Sequence, residues 1–353
     1  MLFFLYLCSE NKHKHMKKSI FFVLVAFVLW GCNGSNDRIL TSATGSIYEC
    51  LVVSDPSVQA EIMEVMGGDM YGLPQMEAYF TIAHVSPAGF DAMYMASRNI
   101  LLIDLDSHKY TQVKAIQSRD VWSKPQAVVR IQAPDKDSFL DYWSEKGEVI
   151  REWFVREELA RQASFYRAGT NKEARAHLNR RGYDIYVPED YMLIQDTTLT
   201  VSNRTIDVIW CCNNKGPMRR DVMVYSYPYT AQEQFCGDSI IAMRNEVVGR
   251  LVSAQVAGSR MGTEYKHFPP VTRSVAALRD TIGGFYAMET RGLWRIYDGE
   301  AMGGPFVSLT RLDQVEARVV TAEAFIYAPG QKKRNAMRQA EAILYTLKMP
   351  NER

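Results

Sequence analysis

The sequence predicts an α+β protein of two sheet-and-helix halves whose strands are mostly antiparallel. Short apolar, β-rich runs recur along the 353 residues, separated by turn residues. One long helical pattern crosses the middle of the chain, and two of the strands end in the same Ala-Pro step ahead of a helix. With 47% hydrophobic residues the chain can bury a sizeable core, which excludes a disordered or fibrous protein.

Residues 1–31 read as an address. From Met16, the expected start, Lys17 and Lys18 precede an apolar stretch, 20–30, that closes on Gly31-Cys32. Charge, apolar core and small residue follow in the order of a signal peptide. The stretch falls short of the roughly 20 residues that span a bilayer. Leu29-Trp30-Gly31-Cys32 resembles the bacterial lipobox and marks Cys32 for lipidation, with Trp30 a bulky departure. Ahead of Met16, the apolar stretch 2–7 precedes the lysines, the reverse of an export signal. Removal of 1–31 leaves 37 basic and 39 acidic residues, so attachment to the membrane rests on lipid rather than charge. The whole chain, at +1, carries no field to hold a polyanion, and nucleic acid is not an expected partner.

Residues 32–44 form the lipidated cysteine and a polar tether, followed by an N-terminal half, 45–170, and a C-terminal half, 171–353. In the first half strands are expected at 47–53, 78–85, 100–105 and 127–131, with a helix at 58–66. A long helix, 135–167, sets Phe139, Leu140, Trp143, Ile150 and Phe154 on one stripe that should cover a sheet. The segment 171–181 is polar and basic and reads as the boundary. The second half then offers strands at 183–187, 206–211, 222–227, 285–290, 293–297, 306–311 and 318–327. Helices are expected at 231–252 and 331–347, and a loop at 258–270 on account of Pro269-Pro270. The shared strand, Ala-Pro and helix order of the halves suits an ancient duplication, and equally a common α+β layer.

Gly-x-Ser-x-Gly, His-Glu-x-x-His, a Walker loop and Gly-x-Gly-x-x-Gly after a strand are all missing from the sequence. No catalytic residue, cofactor or metal is assigned, and His84, His108, His177 and His267 stand isolated. Asp104 and Asp106 share a strand face, read as a solvated strand end. Cys50, Cys211, Cys212 and Cys236 either stay free or join Cys236 to one of the adjacent pair, whose side chains point opposite ways on a strand.

The candidate binding residues are few. Tyr225, Tyr227 and Tyr229 alternate onto one face, as an aromatic platform or as a rim of half-buried rings. Lys332, Lys333 and Arg334 open the last helix, where the macrodipole disfavours cations and an anion would offset them. Arg119 and Arg291 each stand three residues before a tryptophan, Trp122 and Trp294. They would serve a polar cluster around an anionic ligand, while the tryptophans also fit a core. Gly303-Gly304-Pro305 reads as a turn.

A set of short segments carries a family resemblance. In the first half these are Gly45-Ser46-Ile47-Tyr48-Glu49, Gly72-Leu73-Pro74-Gln75, Arg98-Asn99-Ile100-Leu101 and Arg119-Asp120-Val121-Trp122. In the second they are Tyr225-Ser226-Tyr227-Pro228-Tyr229, Arg291-Gly292-Leu293-Trp294, the run from Met302 through Pro305 to Ser308, Tyr327-Ala328-Pro329, and Lys332 to Asn335 with Glu341-Ala342 and Leu344 to Leu347. Over nearly the whole mature chain the sequence resembles the Bacteroidetes-type envelope lipoproteins sharing the domain of unknown function numbered 4837. The resemblance implies an exported lipoprotein and supplies no reaction or catalytic residue. Asn33-Gly34-Ser35-Asn36-Asp37 holds a single acid, which points to the periplasmic face of the outer membrane. The expected function is a binding or interaction module with an envelope protein or glycan as partner. The competing reading is a hydrolase acting on peptidoglycan, glycan or peptide.

Overall fold

The computed structural model describes residues 40–276, 286–349 and 352. The expected signal peptide, Cys32 and most of the expected tether lie outside the described residues. Ser42–Arg353 form one compact unit, and the account below concerns that unit.

The N-terminal half builds a five-stranded sheet from β1 (Glu49–Val53), β2 (Thr81–Val85), β3 (Asn99–Leu105), β4 (Lys114–Arg119) and β5 (Ala127–Ala133), in the order β2-β1-β3-β5-β4. The pairs β1/β2, β1/β3 and β3/β5 are parallel, and β4 closes one edge antiparallel to β5. Both faces of the central strands are covered, which is why Cys50 to Val53 and Ile100-Leu101 read as unbroken apolar runs. Helix α1 (Gln59–Met66) makes the crossover from β1 to β2 and buries Ile62 and Met66. After β5, Asp135 caps α2 (Lys136–Ala168) by accepting from the backbone N–H of Ser138 at 2.8 Å. The expected stripe is there: Phe139, Trp143, Ile150 and Phe154 are buried against the sheet.

The C-terminal half is an antiparallel sheet of eight strands. Its path runs β9 (Arg260–Thr263), β11 (Tyr286–Tyr297), β12 (Gly303–Asp313), β13 (Arg318–Tyr327), β8 (Arg219–Pro228), β7 (Arg204–Asn213) and β6 (Met192–Val201), while β10 (Val271–Ala276) shares the outer edge of β11 with β9. Val320, Ala322, Ala324 and Ile326 on one face of β13 join the main core, and Val319 and Phe325 on the other join a second. Helix α5 (Arg334–Leu344) packs on the first face and against α2. Helix α4 (Gly237–Leu251) packs on the second face beside β9. One hydrophobic core therefore runs from the five-stranded sheet, through α1, α2 and α5, to the eight-stranded sheet.

Most strands are antiparallel and the class is α+β, with the parallel pairs confined to the first sheet. The two Ala-Pro steps do lead into α2 and α5, but β5 has a parallel and an antiparallel neighbour and β13 two antiparallel ones, so the halves differ in topology. Several elements depart from expectation. The segment 172–180, read as a boundary, is helix α3 (Lys172–Arg180), capped by Asn171; only Ala174 and Leu178 are buried, too few to show a stripe. β4, β6 and β10 line sheet edges and carry weak alternation. The expected strand 183–187 runs extended, joined by the single bridge Asp184 to Lys348. The expected pair 285–290 and 293–297 is the continuous β11, and Gly303-Gly304-Pro305 is no turn but the start of β12. A Cβ at Gly304 would stand 2.0 Å from the carbonyl oxygen of Ile326; the indole of Trp294 crosses the strand there to donate to that oxygen at 3.1 Å.

The four cysteines of the folded part are free, Cys236 exposed and the other three buried. Cys211 faces the main core and Cys212 pairs in register with Asp221. Burial pushes both thiols up to about 12, so they behave as apolar side chains rather than nucleophiles.

Candidate functional site

The densest group of buried charge lies where α5 meets the start of β11 and the edge strand β10. Glu289 and Arg291 point from β11 toward α5 and form a bidentate pair, Nε to Oε1 at 2.9 Å and Nη2 to Oε2 at 3.1 Å. Arg291 also donates to Glu341 of α5, whose other oxygen accepts from Arg338 Nη1 at 2.9 Å. From β10, the half-exposed Arg273 donates Nε to Glu289 Oε1 at 2.9 Å. The chain Arg273, Glu289, Arg291, Glu341, Arg338 thus alternates three guanidinium groups with two carboxylates, and Tyr345 adds its hydroxyl to Glu289 at 3.3 Å.

Burial would raise the Glu289 carboxyl, and the charge of Arg291, its hydrogen bonds and those of Arg273 reverse this and hold it down at about 2. Burial likewise works against the charge on Arg291 and Arg338, but their carboxylates keep both protonated. Arg338 lies 5.5 Å over the ring of Tyr79, and Arg151 from α2 lies over the same ring at 4.1 Å.

Two hollows open beside this cluster. A cavity of about 120 Å³ is lined by Met70, Tyr71, Tyr79, Val271, Arg273, Glu289, Arg291 and Arg338. A groove of about 340 Å³ between α2, α5 and β10 is lined by, among others, Glu152, Trp153, Val275, Tyr345, Arg273 and Arg338. The last two arginines belong to both. The loop after α1 holds the cavity's far wall: Gly72, at φ +87°, brings its backbone so near Arg291 that a Cβ would stand 3.2 Å from that side chain's Cβ. Tyr71 donates to the carbonyl oxygen of Pro269 at 2.6 Å and stacks on Phe268.

Of the candidate binding residues read from the sequence, only Arg291 belongs to this cluster, while Glu341 and Tyr345 stand in segments quoted for the resemblance alone. Arg119 does not join it; it forms a bidentate pair with Glu157 on α2. Trp122 is half-buried against Phe90 on the far face of the first sheet, and Trp294 is core. The tyrosine platform is overturned by burial: Tyr225 and Tyr227 are 1% and 3% exposed and fill the second core, leaving half-buried Tyr229 against Phe235. The basic turn is already matched from within. Glu77 accepts from the backbone N–H groups of Lys333 and Arg334, while the Lys333 side chain is buried and donates to Gln75 and Gln331, with Lys332 exposed. Asp104 accepts from Tyr110 and Asp106 pairs with Lys109, as a solvated strand end does.

Arg273, Glu289, Arg338 and Glu341 were missed because single charges inside apolar segments look like interruptions. The signal was present: Glu289 lies in a strand with Ala287, Thr290 and Arg291 buried around it, and Arg338 and Glu341 are three apart on the buried stripe of α5.

Among the described residues the hydrolase reading finds one hydroxyl and imidazole pair, Ser54 Oγ and His84 Nε2 at 3.0 Å, at the end of β1 and on β2. Ser54 is fully buried, and neither residue lines the two hollows above. Among the described residues no group of three His, Cys, Asp or Glu is placed to hold a metal ion, and no helix is long and apolar enough to cross a membrane.

These features define an α+β protein with a buried arginine and carboxylate cluster opening onto a groove between its halves. The chain belongs to the family described as Domain of unknown function (DUF4837), whose model matches residues 170–346. A second model, Domain of unknown function (DUF8532), matches residues 43–167. No curated protein matches. The DUF4837 match is narrower than the resemblance suggested, and the segments quoted at 45–49, 72–75, 98–101 and 119–122 fall within the other. The cluster itself lies in the DUF4837 part, while Met70, Tyr71, Tyr79 and Trp153, which complete the hollows, come from the DUF8532 part.

Proposed function

We propose that the protein is a lipid-anchored envelope protein, held through Cys32 at the outer membrane facing the periplasm, that works as a binding module for an envelope protein or glycan. The anchoring rests on the signal-peptide order of 17–31 and the lipobox-like Leu29 to Cys32. Each buried CH₂ of an acyl chain adds about 0.8 kcal/mol, enough for several chains to hold the protein without a spanning helix. The observation that carries the binding reading is the groove between α2, α5 and β10. It sets a few fixed charges, Arg273, Arg338 and Glu152, beside Trp153, Val275 and Tyr345, the mixture of oriented polar groups and apolar walls that ligand sites use.

The test is a pull-down from membranes with tagged wild type, Cys32→Ala and Trp153→Ala. A stoichiometric partner or glycan retained by wild type and lost with Trp153→Ala, together with release of Cys32→Ala from the membrane fraction, is the expected result. Equal recovery with Trp153→Ala would remove the groove from the reading. The hydrolase is favoured only by the Ser54 and His84 contact. Shortening of glycan or peptide fragments by wild type but not by Ser54→Ala would replace the binding module with an enzyme.

A further inference from the structure

We infer that the cavity at Arg273, Arg291 and Arg338 is a receptor for a phosphate monoester, whose phosphoryl group sits among the three guanidiniums and whose remainder extends into the adjoining groove. The inference rests on the binding reading above and names the chemistry of its ligand.

The charge around the cavity is not balanced from within. Three guanidiniums share two carboxylates, and the carboxylates are fully engaged: Glu289 by Arg273, Arg291 and Tyr345, Glu341 by Arg291 and Arg338. The guanidiniums are not. Among the described residues nothing accepts from the terminal nitrogens of Arg273, from Nη1 of Arg291 or from Nη2 of Arg338. The Nε of Arg338 is buried without a partner, although the residue is only 3% exposed. A buried N–H on a cation is costly to leave unmade, and an acceptor entering the cavity would remove that cost.

The arrangement selects among anions. The donors come from three elements, β10, β11 and α5, so they approach from more than one direction. A carboxylate offers its two oxygens in one plane and suits one guanidinium fork, whereas a phosphoryl group turns oxygens toward several at once. About 120 Å³ is the liquid volume of roughly four waters, room for a phosphoryl group and its ester oxygen. Arg151 lies 4.1 Å over the ring of Tyr79, but Glu148 and Glu152 pair with it, so the positive charge at the cavity is that of Arg273, Arg291 and Arg338 less their two carboxylates. Arg273 and Arg338 line both hollows, so a ligand anchored in the cavity would pass these two side chains to reach the groove beside Trp153, Val275 and Tyr345.

The test uses the full chain in detergent and isothermal titration with inorganic phosphate, glycerol phosphate and acetate at pH 7.5. One saturable phosphate or glycerol phosphate site per chain is expected, with acetate at least tenfold weaker. Arg338→Lys and Arg273→Gln should each weaken it at least tenfold. Arg273 is half-exposed, so its variant tests the idea even where Arg338→Lys does not fold, as judged by circular dichroism. Flotation with vesicles of phosphatidic acid in phosphatidylcholine separates the sources. Glycerol phosphate binding without vesicle binding indicates a soluble ester, and vesicle binding lost in Arg273→Gln indicates a lipid headgroup. Absence of saturable binding to every phosphate probe, acetate binding as tight as phosphate, or wild-type affinity in Arg273→Gln would overturn the inference. A partner still retained in the pull-down under those outcomes would leave the binding module itself standing.

Discussion

Glu77 caps helix α5 from 256 residues away, accepting from the backbone N–H of Lys333 at 2.7 Å and, through its other oxygen, from that of Arg334 at 3.0 Å. The helix start has no side-chain cap of its own, so a carboxylate from the first half satisfies its orphan donors and faces the positive end of its dipole. The basic turn needs no outside anion for this reason.

Removal of that carboxylate should therefore act on stability. Glu77→Ala is expected to cost about 1 to 2 kcal/mol, the range of a lost helix cap, and Glu77→Gln less, since an amide oxygen still accepts. Urea denaturation at pH 7 measures both. Equal stability of wild type and Glu77→Ala would show the cap to be idle.

The low pKa of Glu289 sets a pH dependence whose sign is fixed. A carboxyl lowered from 4.5 in the unfolded chain to about 2 in the folded one stabilises fully above pH 4.5. That contribution is lost as the pH falls toward 2. The drop corresponds to about 3 kcal/mol at most. Urea midpoints between pH 5 and 2.5 should fall more steeply for wild type than for Glu289→Gln. Parallel slopes would contradict the pairing.

Gly72 should tolerate no side chain. Alanine there meets both a backbone in the left-handed region and the Cβ of Arg291 at 3.2 Å. Gly72→Ala is expected to destabilise by about 1 to 2 kcal/mol from the backbone alone. Thermal unfolding of the variant checks this, and a wild-type midpoint would mean the loop moves freely away from β11.

Arg244 and Glu323 form a second, wholly buried pair at 2.8 Å between α4 and β13, with the guanidinium 3.8 Å over the ring of Phe306. Arg244→Ala leaves a buried carboxylate unpaired and should cost about 3 to 5 kcal/mol. The double variant Arg244→Met with Glu323→Leu should recover much of that, because the pair's own desolvation is removed with it. Chemical denaturation of the single and double variants completes the cycle.

Much of this fold was legible because periodicity reports burial. The long helix carried Phe139, Trp143, Ile150 and Phe154 on one face, and β13 alternated between two cores. What stayed hidden were elements with one thin buried edge, such as α3 with Ala174 and Leu178, and β6 at the rim of its sheet. The site was harder. Arg291 could be picked out, but its partners come from a distant helix, Glu341 and Arg338, and from an edge strand, Arg273. Only tertiary packing brings them together. Tyr225 misled for the opposite reason: alternation shows that residues share a face and not whether that face meets water.

The central position of α5 has a bearing on synthesis. Its residues, Arg334–Leu344, follow every described strand, yet they pack between the eight-stranded sheet and α2. Until they are made, the face of the eight-stranded sheet that carries Val320, Ala322, Ala324 and Ile326 lacks its helix, and α2 lacks the helix it packs against. Docking of the two halves on each other should thus wait for α5.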